Sequence, residues 1–369
     1  MRLPPFSLER FFAQHEFSAR HLLGTSDAET LSVGELLAYE PTARAELEAL
    51  SLGATESTGN PELRRELARL HPGLTEQDVL VCCGAQEGIF AFMNAVLEPG
   101  DHVIAQWPGY QSHFAIARAL GAEVSLWRAD AARGWAFDPA DLEARLRPTT
   151  KVVLVSSPHN PTGAHFERRA WEDVIELARR SGAWLLSDEV YRGLEHEETA
   201  RLPAACDVYE RGVSLNSTSK SYGLSGLRIG WLATRARSLL GDIAGLRDYT
   251  TISAAAPSEL LATIAVRHRE ALWARSRRQA AHNATLLDGF LARTAEHFAW
   301  TRPRAGTTAL VRYLGGSASA LCERLVRDHG VLLVPSVHFE CGDEHVRFGY
   351  GRASFGAALE ALETALAAR

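Results

Sequence analysis

One lysine lies in chemically suggestive company. In Ser217-Thr218-Ser219-Lys220-Ser221, small hydroxyl residues surround it, Gly223 and Gly226 follow, and Arg228 comes eight positions on. Serine hydroxyls and a guanidinium fork are phosphate-binding groups, so Ser217, Ser219 and Arg228 would hold an anion beside the Lys220 amine. Taken alone, a lysine in such a loop reads as a solvated surface charge. Other segments add complementary groups. Val81-Cys82-Cys83-Gly84-Ala85-Gln86 passes from an expected strand into an expected helix through a glycine. The free N–H groups of Gly84, Ala85 and Gln86 would then face an anion, helped by the helix dipole. Asp188 and Tyr191, in Ser187-Asp188-Glu189-Val190-Tyr191, follow an apolar run and so fall at a strand end, where α/β sheets place ligands. Asn160, in Ser157-Pro158-His159-Asn160-Pro161, follows another such run and reads by itself as a plain turn. Tyr110 follows a third and reads by itself as a packing aromatic.

The elements that must position these groups are legible from periodicity. Between about residues 60 and 235, short apolar runs alternate with helical patterns, the signature of βαβ units and a mainly parallel sheet. The runs at 79–83, 102–106, 152–155, 184–186, 213–215 and 229–233 are the expected strands. A helix is expected from Pro61, with Asn60 as its cap and Leu63, Leu67 and Leu70 on one face. Another carries Trp171, Val174, Ile175 and Ala178 and stops near Gly182. Beyond residue 240 the pattern shifts to long helices, with an Arg-rich one at 266–293, and to strand candidates at 298–300, 308–313 and 331–334. The expected division is a large domain at 41–275 and a smaller α+β unit built from 1–40 and 276–369.

Composition excludes several function classes. The chain has 369 residues, 46% hydrophobic and 23% charged, enough to bury a large core and more than one compact domain needs. Its net charge of −6 would repel nucleic acid and anionic membranes, so neither is expected as a partner. The N-terminus lacks the apolar segment of a signal peptide, and no stretch approaches the roughly 20 apolar residues of a membrane span; a cytoplasmic location is the expectation. Five cysteines, odd in number and without a C-x-x-C pair, read as buried free thiols, with no metal site expected.

Taken together, these motifs resemble the fold-type I pyridoxal 5′-phosphate (PLP) enzymes, in the class I/II aminotransferase branch. The likeness runs from about Gly53 to Arg347 with the motifs in order. It implies an α/β fold with a mainly parallel seven-stranded sheet between helices plus a smaller α+β domain. It also implies that Lys220 holds PLP as a Schiff base and later moves the proton between Cα and C4′. By the same resemblance, Asp188 keeps the pyridine nitrogen protonated, Tyr191 and Asn160 bind O3′, and Tyr110 stacks on the ring. Gly84, Ala85, Gln86, Ser217, Ser219 and Arg228 take the phosphate. Arg347, in His345-Val346-Arg347-Phe348-Gly349, pairs with the substrate α-carboxylate, with Asn160 sharing that task; Gly24, Thr25 and Ser26 lie in a segment lining the substrate pocket. Glu189 reads as structural and His159 as a bystander.

The implied activity is transamination between an amino acid and a 2-oxo acid by a ping-pong route, in a homodimer with sites at the interface. β-Elimination and cyclisation use the same first proton abstraction and stay open as alternatives. The chain departs from the family pattern at Ala54, where a tyrosine from the neighbouring subunit commonly reaches the phosphate; Thr55, Ser57 or a hydroxyl at 250–253 are the candidate substitutes.

Overall fold

The computed structural model describes residues 1–368. A first short strand, β1 (His21–Leu22), precedes the main sheet. That sheet contains β2 (Val79–Cys82), β3 (His102–Trp107), β4 (Glu123–Arg128), β5 (Thr150–Ser156), β6 (Trp184–Asp188), β7 (Gly212–Ser217) and β8 (Gly230–Ala233). Their order is β2-β8-β7-β6-β5-β3-β4. Pairings among β7, β6, β5, β3 and β4 are parallel, whereas β8 runs antiparallel to both β2 and β7. β2, at one edge, and the inner strands β5 and β7 are buried along nearly their whole length because helices cover both faces, which is why they read as apolar runs. β4 escaped that reading for a physical reason. It is an edge strand, its Glu123 and Arg128 are exposed, and Glu-Val-Ser-Leu-Trp-Arg shows no apolar run.

The expected helices form where their caps and faces lie. Asn60 accepts the backbone N–H groups of Glu62 and Leu63 at 2.8 and 3.2 Å, starting Pro61–Ala68 with proline in the first turn. Arg168–Ser181 buries Trp171, Val174, Ile175 and Ala178 and ends at Gly182. The Arg-rich stretch starts later than expected: Ala256–Arg267 and Arg269–Arg293 are separate helices that meet at His268. The second helix crosses the expected 275/276 boundary. Its Leu272 and Trp273 pack with Val79, Val81 and Trp231 of the large sheet, while Ala284, Leu287 and Phe290 join a second core.

That second core surrounds a four-stranded antiparallel sheet made of β9 (Phe298–Ala299), β10 (Thr308–Tyr313), β12 (Val334–Pro335) and β13 (His345–Gly349). The run expected as one strand at 331–334 is divided. Its first part, β11 (Val331–Leu332), pairs in parallel with β1, and only β12 joins the antiparallel sheet. The N-terminal segment therefore touches both units: β1 is tied to the C-terminal part, whereas Leu36 and Leu37 pack with the large sheet. All five cysteines are free, with Cys82, Cys206 and Cys322 buried. No helix among the described residues is long and apolar enough to cross a membrane.

Phe92, on the helix Ala85–Val96, is fully buried in the cluster that packs this helix on the sheet. Phe92→Ala is expected to cost about 3–5 kcal/mol, combining lost transfer energy with a residual cavity. Chemical denaturation of wild type and variant checks this; a change under 1 kcal/mol, on the order of a surface substitution, would contradict the packing described.

Candidate active site

The candidate groups gather at one edge of the main sheet because of strand direction. Asp188 ends β6 and Ser217 ends β7, while Asn160, Tyr110 and Gly84 follow the C-terminal ends of β5, β3 and β2. β8 is reversed, so Arg228, which precedes it, reaches the same edge. There a cavity of about 530 Å³ is lined by Lys220, Asp188, Tyr191, Asn160, Arg228 and Arg347, among others. Ala85, Gln86, Tyr110, Ser217 and Ser219 also face it.

One end has the features of a phosphate cradle. The helix Ala85–Val96 starts at Gly84, with φ 87° and no capping side chain, so its first N–H groups have no side-chain partner. A Cβ on Gly84 would stand 2.5 Å from Arg228 Nη2, and one on Gly230 would stand 2.5 Å from the Ala85 nitrogen. Gly230 is thus required by close approach to backbone, and Gly84 by its positive φ. Arg228 adopts a left-handed backbone, φ 55°, and one guanidinium nitrogen donates to the Ser225 carbonyl at 3.0 Å. Ser217 Oγ accepts from the Ser219 N–H at 3.2 Å, which leaves its own hydrogen to donate. Unpaired helix N–H groups, a guanidinium and two hydroxyls fit a phosphate dianion.

Deeper in the cavity, the donor set suits an aromatic ring with a basic nitrogen and a phenolic oxygen. Asp188 is buried, and its Oδ2 lies 3.0 Å from His113 Nε2. A carboxylate only accepts, so His113 carries its hydrogen on Nε2 here. The Tyr191 hydroxyl is buried with no hydrogen-bond partner, an orphan donor that a ligand oxygen would satisfy. Asn160 Oδ1 accepts from Arg347 at 3.0 Å, so its amide N–H₂ is the group left to donate. Tyr110 reaches Glu9 Oε1 with its hydroxyl at 2.9 Å and meets His113 edge-on at 5.9 Å between centroids. Burial, with Glu9 adding to it, pushes the Tyr110 hydroxyl pKa well up, so it stays protonated.

Lys220 Nζ donates to Ser26 Oγ at 2.9 Å and to Asp27 Oδ1 at 2.7 Å. Burial works against its ammonium form, but the Asp27 carboxylate and Tyr191 outweigh burial and raise its pKa. Burial likewise works against the Asp27 anion, yet Lys220 and then Arg352 bring its pKa below the usual carboxylate range. Arg347 is buried, and burial lowers its pKa from the usual guanidinium value. Its Nε and Nη2 donate to the Gly24 carbonyl at 3.1 and 2.6 Å. Gly24 therefore holds Arg347 through its carbonyl, and the residues after it, Thr25, Ser26 and Asp27, line the cavity. A Cβ on Gly24 would come within 2.8 Å of Val334 Cγ2.

Sequence reasoning missed His113 and Asp27 as contributors, whereas Thr25 and Ser26, from the segment expected near the pocket, do line it. His113 follows Tyr110 by three residues, a spacing that places the two on one side of a helical turn and was there to be read. The Asp27 contact spans 193 residues of sequence and has no local signal. Glu189 is structural as expected, accepting from the Ala205 N–H and Ser214 Oγ at 3.0 and 2.8 Å. His159 lies outside this cavity, bonded to Thr162 Oγ1 at 2.8 Å, and burial pulls its pKa down to about 3. Around Ala54, the hydroxyls of Thr55, Ser57 and residues 250–253 do not line the cavity of the single chain; Thr55 Oγ1 instead donates to the Ala254 carbonyl at 2.8 Å.

The Lys220–Asp27 pair sets a pH dependence. Only the neutral amine attacks an aldehyde, and Asp27 keeps the ammonium to higher pH. Uptake of PLP by the cofactor-free protein is expected to quicken as pH rises above neutrality. In Asp27→Asn, burial is no longer outweighed, so the lysine pKa falls, uptake at pH 7 is faster, and the profile moves to lower pH. Stopped-flow absorbance measures both profiles; superimposable curves would refute the assigned role of Asp27.

Comparison with known proteins agrees with this geometry. Capreomycidine synthase of Streptomyces vinaceus is 32% identical over 352 residues, covering 94% of this chain and 90% of that protein. The arginine–pyruvate transaminase of Pseudomonas aeruginosa is 30% identical over 335 residues, covering 84% and 81%. Among solved structures, a PLP-dependent aminotransferase from Streptococcus suis superposes with a TM-score of 0.93 at 32% identity, covering 100% of this chain and 99% of that one. The PLP-dependent cyclase OrfR gives 0.92 at 31%, covering 100% and 98%. Residues 31–368 match the aminotransferase class I and II family, and the chain is a member of that family of PLP-dependent, fold-type I enzymes.

Proposed function

We propose that this chain is a PLP-dependent transaminase, moving an amino group between an α-amino acid and a 2-oxo acid in two half-reactions. The observation that carries this reading is the convergence of Lys220, Asp188, Tyr191, Asn160 and Arg347 on one cavity beside the phosphate cradle. When bound, PLP supplies an aldehyde for the substrate nitrogen and a ring that withdraws the electrons left at Cα.

The chain's own residues do the rest. Lys220 anchors the cofactor through Nζ and, once released, takes the Cα proton and returns it. Asp188, held by His113, keeps a proton on the ring nitrogen through a buried carboxylate. Tyr191 and the Asn160 amide donate to the ring oxygen. Arg347 orients the substrate α-carboxylate with a guanidinium already fixed by Gly24 and Asn160, so little ordering entropy is lost on binding.

A second reading is cyclisation or β-elimination, in which a group leaves Cβ after the same proton abstraction. It is favoured by the likeness to capreomycidine synthase and to the OrfR cyclase. A homodimer also belongs to the proposal. Leu52 and Tyr249, 82% and 92% exposed, sit on segments joined by the Thr55–Ala254 hydrogen bond, and each is a large side chain suited to burial against a second copy.

Adding an amino donor without acceptor distinguishes the reactions. Transamination is expected to convert the cofactor once, stoichiometrically, to its pyridoxamine form with release of a 2-oxo acid. Continuous turnover with no acceptor would overturn it in favour of the second reading. Lys220→Ala is expected to lose the imine absorbance and turnover together; full activity in that variant would sink the assignment of Lys220. Sedimentation of the wild type is expected to give a dimer that Tyr249→Glu weakens, and a monomeric, fully active wild type would contradict the interface.

A further inference from the structure

The substrate end of the cavity has a charge pattern that the shared chemistry does not use. Four carboxylates line it: Asp188 at the ring position, and Glu9, Glu16 and Asp27 on the N-terminal segment. Four cationic side chains line it too, Lys220, Arg228, Arg347 and Arg352. Three of these have assigned work, with Lys220 at the cofactor aldehyde, Arg228 at the phosphate and Arg347 at the α-carboxylate. Arg352 is then the one left to face Glu9, Glu16 and Asp27. It is already engaged, with Nη2 3.4 Å from Asp27 Oδ2 and 4.0 Å from Glu16 Oε1.

The balance worsens when the site is loaded. Asp27 Oδ1 rests on the Lys220 ammonium at 2.7 Å, and that partner is lost when Nζ is committed to the cofactor. Glu9 has only the neutral Tyr110 hydroxyl, at 2.9 Å. Burial and the nearby Asp27 already push the Glu16 carboxyl up, with Arg352 opposing, as expected for an anion short of compensation. Beside these carboxylates stand Leu8, Phe12 and Phe17, an apolar surface suited to a methylene stem.

Resting on the PLP reading above, we propose that the site selects an α-amino acid whose side chain ends in a cation, with Glu9, Glu16 and Asp27 as its counter-charges. The α-carboxylate goes to Arg347, the stem lies along Phe12 and Phe17, and the terminal ammonium or guanidinium meets Glu16 and Glu9. The opposite polarity is disfavoured by the same geometry. A side-chain carboxylate reaching Arg352 would have to displace Asp27 and then sit beside Glu16.

The test uses the PLP-loaded protein and reads dissociation constants from the change in cofactor absorbance, alongside turnover. L-Arginine and L-lysine are the cationic probes, L-citrulline the neutral near-isostere of arginine, and L-glutamate the anionic one. A charge-assisted contact is expected to make arginine or lysine bind about tenfold to a hundredfold tighter than citrulline. Glu16→Gln and Glu9→Gln are expected to erase most of that preference and Glu16→Asp to retain part of it. Citrulline binding shows that each variant is folded. Arginine and lysine separate a guanidinium from an ammonium preference, and either supports the proposal. Equal affinity for arginine and citrulline, or tighter binding of glutamate, with a normal cofactor spectrum, would overturn it while leaving the PLP reading intact. A protein that takes up no PLP, or whose spectrum no amino acid alters, would overturn that reading and this inference together.

Discussion

The site depends on one reversed strand. β8 is the member of the main sheet that runs antiparallel to its neighbours, and the residue just before it is Arg228. In a parallel sheet, ligands sit at the C-terminal edge, so an arginine preceding a parallel strand would face the opposite edge. Reversal brings it to the start of the helix Ala85–Val96, where Gly84 takes a positive φ and Gly230 leaves no room for a Cβ against the Ala85 backbone. The phosphate cradle and the Lys220 loop are consequently built from the same close-packed join of β2, β8 and β7. A substitution that opened this join would disturb anchoring before it touched any proton-transfer group.

Charge compensation is the second constraint. A guanidinium and an ammonium buried near one another are costly unless each is paired. Arg347 meets that requirement with the Gly24 carbonyl and Asn160, Lys220 with Asp27 and Ser26. Apart from Asn160, which follows β5, these partners come from the N-terminal segment, which is tied to the C-terminal unit through β1 and β11 and to the large sheet through Leu36 and Leu37. Binding and packing are therefore coupled: the segment that supplies counter-charges also joins the two cores.

What could be read from sequence follows the range of the interactions involved. Asn60, Gly84, Asp188 and Lys220 sit in local patterns, a cap, a turn or a strand end, whose geometry is set within a few residues. The strand β4 was not legible because it lies at an edge that is left partly exposed, which removes the apolar run; β2, at the other edge, is fully buried and keeps it. Likewise 331–334 reads as one strand, and only the partners on either side, β1 and β13, divide it. Gly24 carries a glycine signal whose cause is tertiary, since its carbonyl serves Arg347 and a Cβ there would press on Val334. Asp27, Glu9 and Glu16 lie far in sequence from what they face, and a lone carboxylate on a polar N-terminal segment resembles any solvated charge.

This difference in range also explains why family membership leaves the reaction to be decided by other residues. In the proposed reading, Lys220, Asp188, Tyr191, Asn160 and Arg347 would act on the cofactor ring and on Cα and the α-carboxylate, which every α-amino acid shares. Transamination, elimination and cyclisation diverge at Cβ and beyond. In this cavity those positions are bordered by Glu9, Phe12, Glu16 and Asp27 from the N-terminal segment and by Arg352 from the turn after β13. A cationic side chain held there would fix where Cβ stands relative to Asp27. Side-chain recognition and the fate of Cβ are thus one problem in this protein, set by the same few carboxylates.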